Sequence, residues 1–209
     1  FDANVEVSAD TILSQAVKGI NVNAGELNLS IVERIGNGLF LANDTPFTVE
    51  TANPDLWRIT PMEVNDPSEL PRQCKHGMIV KVNSSADSVD DDFYLKFAGN
   101  NNLDGPGSWE ECVAPSVYTT LDANTLPHII QRQSNGSFTV GTYTWDTRVV
   151  GDDNTNPFPS FISDVATNAG KKISQTFFHR NRLGFLCEDN VILSRAGEPG
   201  NFFQESANA

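Results

Sequence analysis

The densest run of carboxylates in this 209-residue chain is Asp90-Asp91-Asp92, with Asp87 just before it. A second acidic stretch, Asp152-Asp153-Asn154-Thr155-Asn156, follows later in the sequence. Both offer the oxygen ligands that calcium takes, but neither has the spacing of an EF-hand loop, and successive side chains near a strand point alternately apart. Both therefore read as solvated loop acids. His76, His128 and His179 stand in unlike contexts: a polar turn, a strand start and the run FFHRNR. A histidine base needs a nucleophile and an orienting acid, and the G-x-S-x-G turn of the α/β hydrolases is absent.

Other chemistries fare no better. Glycoside cleavage needs two carboxylates about 5–9 Å apart, a spacing that some pair among 27 acidic residues would meet by chance. Trp57, Trp109, Trp145, Tyr94, Tyr118 and Tyr143 could stack on sugars, yet their strand contexts favour packing. Gly105-Pro106-Gly107 lacks the lysine and following helix of a phosphate loop. Arg180, Arg182 and Arg195 could form a basic patch, but Glu188, Asp189 and Glu198 lie close by, and sheet pairing favours opposite charges. Cys74, Cys112 and Cys187, separated by 38 and 75 residues, give no disulfide framework or zinc spacing and suit a reducing compartment. The residues nominate no catalytic, cofactor-binding or metal-ligating site.

The net charge is −13, and it is unevenly placed. Residues 1–112 hold 18 Asp/Glu against 7 Lys/Arg (−11), and 113–209 hold 9 against 7 (−2). Such acidity opposes binding to nucleic acid through phosphate neutralisation, which needs clustered cations. It suits a surface past which DNA slides, and it also simply keeps a protein soluble. No apolar run approaches the ~18 residues of a membrane-spanning helix, and the first residues do not show the charged-then-apolar pattern that resembles a signal peptide. Starting on Phe1, the sequence fits a piece of a longer protein.

The elements that would position these residues are mostly short strands. Residues 8–20 predict a helix capped by Ser8, with Ile12, Leu13, Ala16, Val17 and Ile20 on one face. Extended segments follow at 29–34, 38–41, 46–50, 57–60, 78–82, 93–97 and 109–113, separated by turns rich in Gly, Asn, Asp and Pro. Residues 114–126 have little periodicity and read as a crossing segment. A hairpin over 128–133 and 137–144 turns on Ser134-Asn135-Gly136. Residues 161–169 fit either a short helix or an extended link. Residues 177–203 read as consecutive strands, with Phe177, Leu183, Phe185, Val191 and Leu193 expected in the core. No internal repeat of about 40 residues emerges.

Several of these segments, in order, resemble the nozzle, or tail tubular protein B, family of short-tailed double-stranded DNA phages. Residues 91–97 (DDFYLKF) resemble its DDYYVKF strand, with Leu95 replacing a usual valine, and Gly107-Ser108-Trp109-Glu110-Glu111 resembles its G-x-WEE segment. Cys112 stands where the family often has threonine. Leu126-Pro127-His128, Gly136-Ser137-Phe138, Trp145, Arg148, residues 151–157 (GDDNTNP), Pro159-Ser160-Phe161 and residues 181–195 continue the likeness. It covers roughly 91–203; the first ninety residues agree only in general character.

The resemblance implies a β-rich α+β fold. A mixed α+β inserted domain (1–112) would join, through a linker or crossing segment (113–125), antiparallel strands of a β-propeller-like body (126–209). It implies no catalytic residues, no cofactor and no metal. It implies self-assembly into a hexameric ring with the tail adaptor and other tail proteins, and transient, non-specific passage of genomic DNA. The protein would belong to the virion, assembled in the bacterial host cytoplasm. The alternatives are a tail-associated polysaccharide hydrolase and a host-receptor-binding module.

Overall fold

Short apolar segments punctuated by Gly, Asn and Asp cannot make long elements, and twelve strands of two to eight residues account for most of the regular structure described. The computed structural model describes residues 14, 16–18, 32–41, 58–84, 92–162 and 171–207. Ser14 and residues 16–18 are helical, with Ala16 and Val17 half-buried; the rest of the expected 8–20 helix, including Ile12 and Leu13, lies outside the described residues. So do the expected strand at 46–50, Asp87, Asp90 and Asp91, and residues 163–169. The fold is β-rich, and α-helix is a minor part of what is described.

The chain divides into two compact units, Phe1–Asn83 with Leu95–Glu110, and Ser84–Tyr94 with Glu111–Ala209. In the first, β1 (Val32–Ile35) and β2 (Gly38–Leu41) form an antiparallel hairpin. A five-stranded sheet runs in the order β3 (Glu63–Val64), β5 (Ile79–Val82), β6 (Phe93–Gly99), β7 (Gly105–Cys112), β4 (Gln73–Cys74). Strands β6 and β7 run from one unit into the other. Alternation along β5 and β6 buries Val80, Val82, Leu95 and Phe97 on one face, and the Trp109 ring meets Phe97 edge-on at 5.2 Å. The Trp109 indole N–H donates to the Pro71 carbonyl (2.8 Å), which satisfies its polar edge. Residues 58–60, expected as a strand, are irregular, and Gly105-Pro106-Gly107, expected as a turn, opens β7. Gly105 and Pro106 pair with the two-residue strand β4 at the margin of the sheet, a place where proline is better tolerated.

The second unit holds the hairpin β8 (Ile129–Arg132) and β9 (Phe138–Gly141), and a three-stranded antiparallel sheet of β10 (Ile173–His179), β11 (Arg182–Cys187) and β12 (Asn190–Leu193). Arg180 and Asn181, at φ 47° and 61°, join β10 to β11 in a tight two-residue turn whose positive angles follow the natural strand twist. The core gathers Leu126, Trp145, Phe161, Phe185 and Cys187, with Phe202 and Ile192 against it. Phe185 stacks on Phe202 at 5.6 Å and meets Phe161 edge-on at 5.3 Å.

Of the five residues expected in this core, Phe185 is fully buried and Leu183 packs against it, Phe177 is half-buried, and Val191 and Leu193 are 64% and 41% exposed. The strand register explains this. Phe185 pairs with Ile192 facing the core, whereas Gly184 pairs with Phe177 and Leu193, and Leu186 with Val191, on the opposite face. The Phe177 ring lies directly over Gly184, where a Cβ would sit 2.3 Å from it.

Phe185→Ala should lower the unfolding free energy of this unit by about 3–5 kcal/mol, while Val191→Ala should change it by no more than about 0.5 kcal/mol. Urea denaturation of the isolated chain measures both, and equal effects would contradict the assignment of faces.

Candidate functional site

Arg148 is the most deeply buried charge among the described residues, at 1% exposure, and a carboxylate, backbone carbonyls and an aromatic ring surround it. Nη1 donates to Asp153 Oδ1 (2.7 Å) and to the Asn156 carbonyl (3.1 Å), and Nη2 donates to the Tyr118 carbonyl. Its own N–H donates to the Thr119 carbonyl (2.8 Å). The Phe158 ring lies 4.7 Å from Cζ, giving the cation an aromatic face. A buried guanidinium is costly unless its fork is matched; here two carbonyls and a carboxylate take its two Nη groups, while Nε is buried without a hydrogen-bond partner. Tyr118 and the Asp153 and Asn156 positions of the loop are thereby held to one side chain, and Thr119 to the Arg148 backbone.

The loop is built to supply those partners. Asp152 Oδ1 accepts from the N–H groups of Asn154 (2.9 Å) and Thr155 (3.0 Å) and from the Thr155 hydroxyl (3.1 Å). Short Asp and Thr side chains close turns of this kind by bonding backbone two and three residues away. Gly151 takes φ 75°, and a Cβ there would sit 2.7 Å from Thr155 Oγ1 and 3.0 Å from Asn156 Cβ. Only glycine meets both demands. Gly151 also bridges to Val113, its N–H donating to the Cys112 carbonyl (3.1 Å).

Asn156, 1% exposed, uses its amide as a spare peptide group. Nδ2 donates to the carbonyls of Val150 (3.0 Å) and Gln204 (3.3 Å), and Oδ1 accepts from the Gln204 N–H (3.0 Å). The tail of the described chain is held a second time where Glu111 accepts from the Ser206 hydroxyl (2.9 Å) and the Ala207 N–H. Phe158 packs edge-on against Phe203 at 5.3 Å beneath the same junction.

Burial works to raise the Asp152 pKa, but the Thr155 and Asn154 N–H groups, the Thr155 hydroxyl and the Arg148 charge outweigh it and hold the carboxyl below its ordinary 3.8. Burial pushes the Cys74 and Cys187 thiols up, so both stay neutral as small core residues.

The remaining residues weighed in the sequence are dispersed. His76 lies in the first unit, where Nδ1 accepts from the Gly99 N–H (3.2 Å); His128 precedes β8 and His179 ends β10, on different sheets of the second. Arg195 pairs with Glu198 (3.2 Å) and Glu205, whereas Arg182 donates to the Ser194 carbonyl and Glu188 takes Lys171 (3.5 Å). Asp92 is buried where β6 begins. Asp152 and Asp153, weighed as cation ligands, instead close a turn and pair with Arg148. No group of three or more His, Cys, Asp or Glu suited to a metal ion occurs among the described residues. Sequence reasoning missed Arg148 as the centre; the available signal was the D-x-N-T turn chemistry of 152–155 just after a lone arginine between apolar stretches.

Arg148→Met should destabilise this unit by about 3–5 kcal/mol, since it strands buried carbonyls, while Asp153→Ala, which removes a side chain 71% exposed, should cost about 1–3 kcal/mol. Denaturation midpoints decide the order, and an equal or reversed order would refute an arginine-centred junction. Because the folded Asp152 carboxyl titrates below its unfolded value, its contribution is complete above about pH 4 and disappears as pH falls through the folded value. Asp152→Asn should therefore be less stable than the parent chain at pH 7, with the gap closing toward pH 2 in thermal melts. A gap that widens in acid would contradict the sign.

The tail tubular protein gp12 of Escherichia phage T7 is 32% identical over 139 residues, covering 66% of this chain and 16% of the length of that protein. The chain thus aligns with about a sixth of this much longer relative. A family model described as bacteriophage nozzle protein matches residues 2–209, so the chain belongs to the bacteriophage nozzle protein family.

Proposed function

We propose that this chain is a structural part of a short phage tail, contributing to the tube through which genomic DNA leaves the virion, and that it acts as architecture and not as an enzyme. The observation that carries the reading is family membership over nearly the whole chain. The chemistry of the distinctive residues agrees with it. Arg148, Asp152, Thr155 and Asn156 spend their polar groups on backbone and on one another, and a hydrolase reading draws no support from acids engaged in this way.

The β10–β12 sheet supports a propeller-like body. One face carries Phe185 and Ile192, and the other carries Phe177, Leu186, Val191 and Leu193. A sheet apolar on both faces needs cover on both, as a blade stacked between neighbouring blades has. The remaining blades would come from elsewhere in the assembled protein. Copies would form a six-membered ring in the virion tail, in contact with the tail adaptor and other tail proteins, after assembly in the host cytoplasm. No helix among the described residues is long and apolar enough to cross a membrane.

The acidity of residues 1–112 suits transient, non-adhesive passage of DNA. Fluorescence anisotropy with duplex DNA should show no appreciable binding at physiological salt; micromolar binding that weakens steeply with salt would contradict a low-adhesion channel. Electron microscopy of the full-length protein should show six-fold rings with a central channel. Glycan hydrolysis abolished by one carboxylate substitution would overturn the structural reading.

A further inference from the structure

The β8–β9 hairpin alternates as a strand pair with one buried face should, yet its apolar face is open. Register places Ile130 opposite Val140 and Arg132 opposite Phe138 on one face, with Ile129 opposite Gly141 and Gln131 opposite Thr139 on the other. Ile130, Val140 and Phe138 are 72%, 70% and 65% exposed. The polar face satisfies itself: Gln133 Nε2 donates to Thr139 Oγ1 (2.9 Å). The turn is also closed, since the Gln133 N–H donates to the Ser137 carbonyl (2.8 Å) and Asn135 Oδ1 accepts from the Ser137 N–H (2.9 Å). A lone two-stranded hairpin is marginal in water, so a well-formed one with an uncovered apolar face is made to be covered.

Charge identifies what covers it. No carboxylate lies between Asp122 and Asp146 in a chain that holds 27, and the apolar face carries Arg132, with His128 beside it in sequence. A cationic, apolar face fits an acidic, apolar one. The first unit has such a surface at β3, which ends its sheet among the described residues: Ile59 and Met62 are 53% and 60% exposed beside the exposed Glu63, with Asp66 close by in sequence.

We propose that the β8–β9 hairpin of one copy seats its Ile130, Val140 and Phe138 face on the acidic β3 margin of a second copy, with Arg132 facing Glu63. The two surfaces differ, so the contact is head-to-tail, the kind that propagates around a ring. It rests on the ring reading above and assigns that ring a contact.

A photo-crosslinking side chain at position 138, introduced into the full chain in an equal mixture of isotopically heavy and light protein, tests it. The expected result is heavy-to-light crosslinks into residues 58–69. Arg132→Glu should cut their yield by about tenfold, and adding Glu63→Arg should restore it. Ile130→Ser with Val140→Ser, at side chains exposed in the subunit, should leave the melting temperature unchanged while dispersing rings. Crosslinks confined to one chain, crosslinks to a different tail protein in whole tails, or rings that survive these substitutions would each overturn the hairpin contact and leave the ring reading intact. Failure of the parent chain to form rings would instead count against the ring reading, and the heavy-to-light crosslinks would still decide whether two copies meet through this face.

Discussion

The second unit depends on a buried positive charge. A guanidinium at 1% exposure has lost its water and must find fixed acceptors, and Arg148 finds them in the Tyr118 carbonyl, 30 residues away, and in the nearby 153–156 loop. Once those acceptors are fixed, the Asp152 turn must close as it does, Gly151 must be glycine, and Asn156 is left facing Gln204 with its amide free to pair. The final segment is then placed so that Phe203 meets Phe158 and Phe202 enters the aromatic core. Polar specification on one side and aromatic packing on the other hold the same few loops.

In this junction Asp, Asn, Thr and Arg side chains are engaged with backbone and with one another. In an enzyme such groups converge on a space left for substrate, with hydrogen-bonding capacity kept in reserve. Here most donors and acceptors of the junction are used internally, although the buried Arg148 Nε has no hydrogen-bond partner. Antiparallel ladders and hydrogen-bonded side-chain networks resist deformation, which suits the structural role proposed for the chain.

The hairpins were readable in the sequence because they rest on local rules. Gly36-Asn37, Asn135-Gly136 and Glu188-Asp189 mark chain reversals, and alternation marks the strands on either side, so β1–β2, β8–β9 and β11–β12 follow directly. The faces were not readable, because period two gives two faces without saying which is covered; Val191 and Leu193 look like core residues and face away from it. The start of strand β7 was hidden by Gly105-Pro106-Gly107, which signals a turn, whereas its later part falls within the segment 109–113 read as extended. Arg148 was the hardest case. Its role lies in carbonyls brought from positions 118 and 156, and no local pattern announces a long-range acceptor.

The central claim is that one arginine holds the loop and the final segment as a single unit. Amide hydrogen exchange, comparing the parent chain with Arg148→Met under conditions where both remain folded, tests it most directly. The account predicts that protection falls together at Thr155, Asn156 and Gln204, while Phe185 and Leu186 in the core sheet keep theirs. Unchanged protection at Gln204, or loss confined to residues adjacent to position 148, would contradict it.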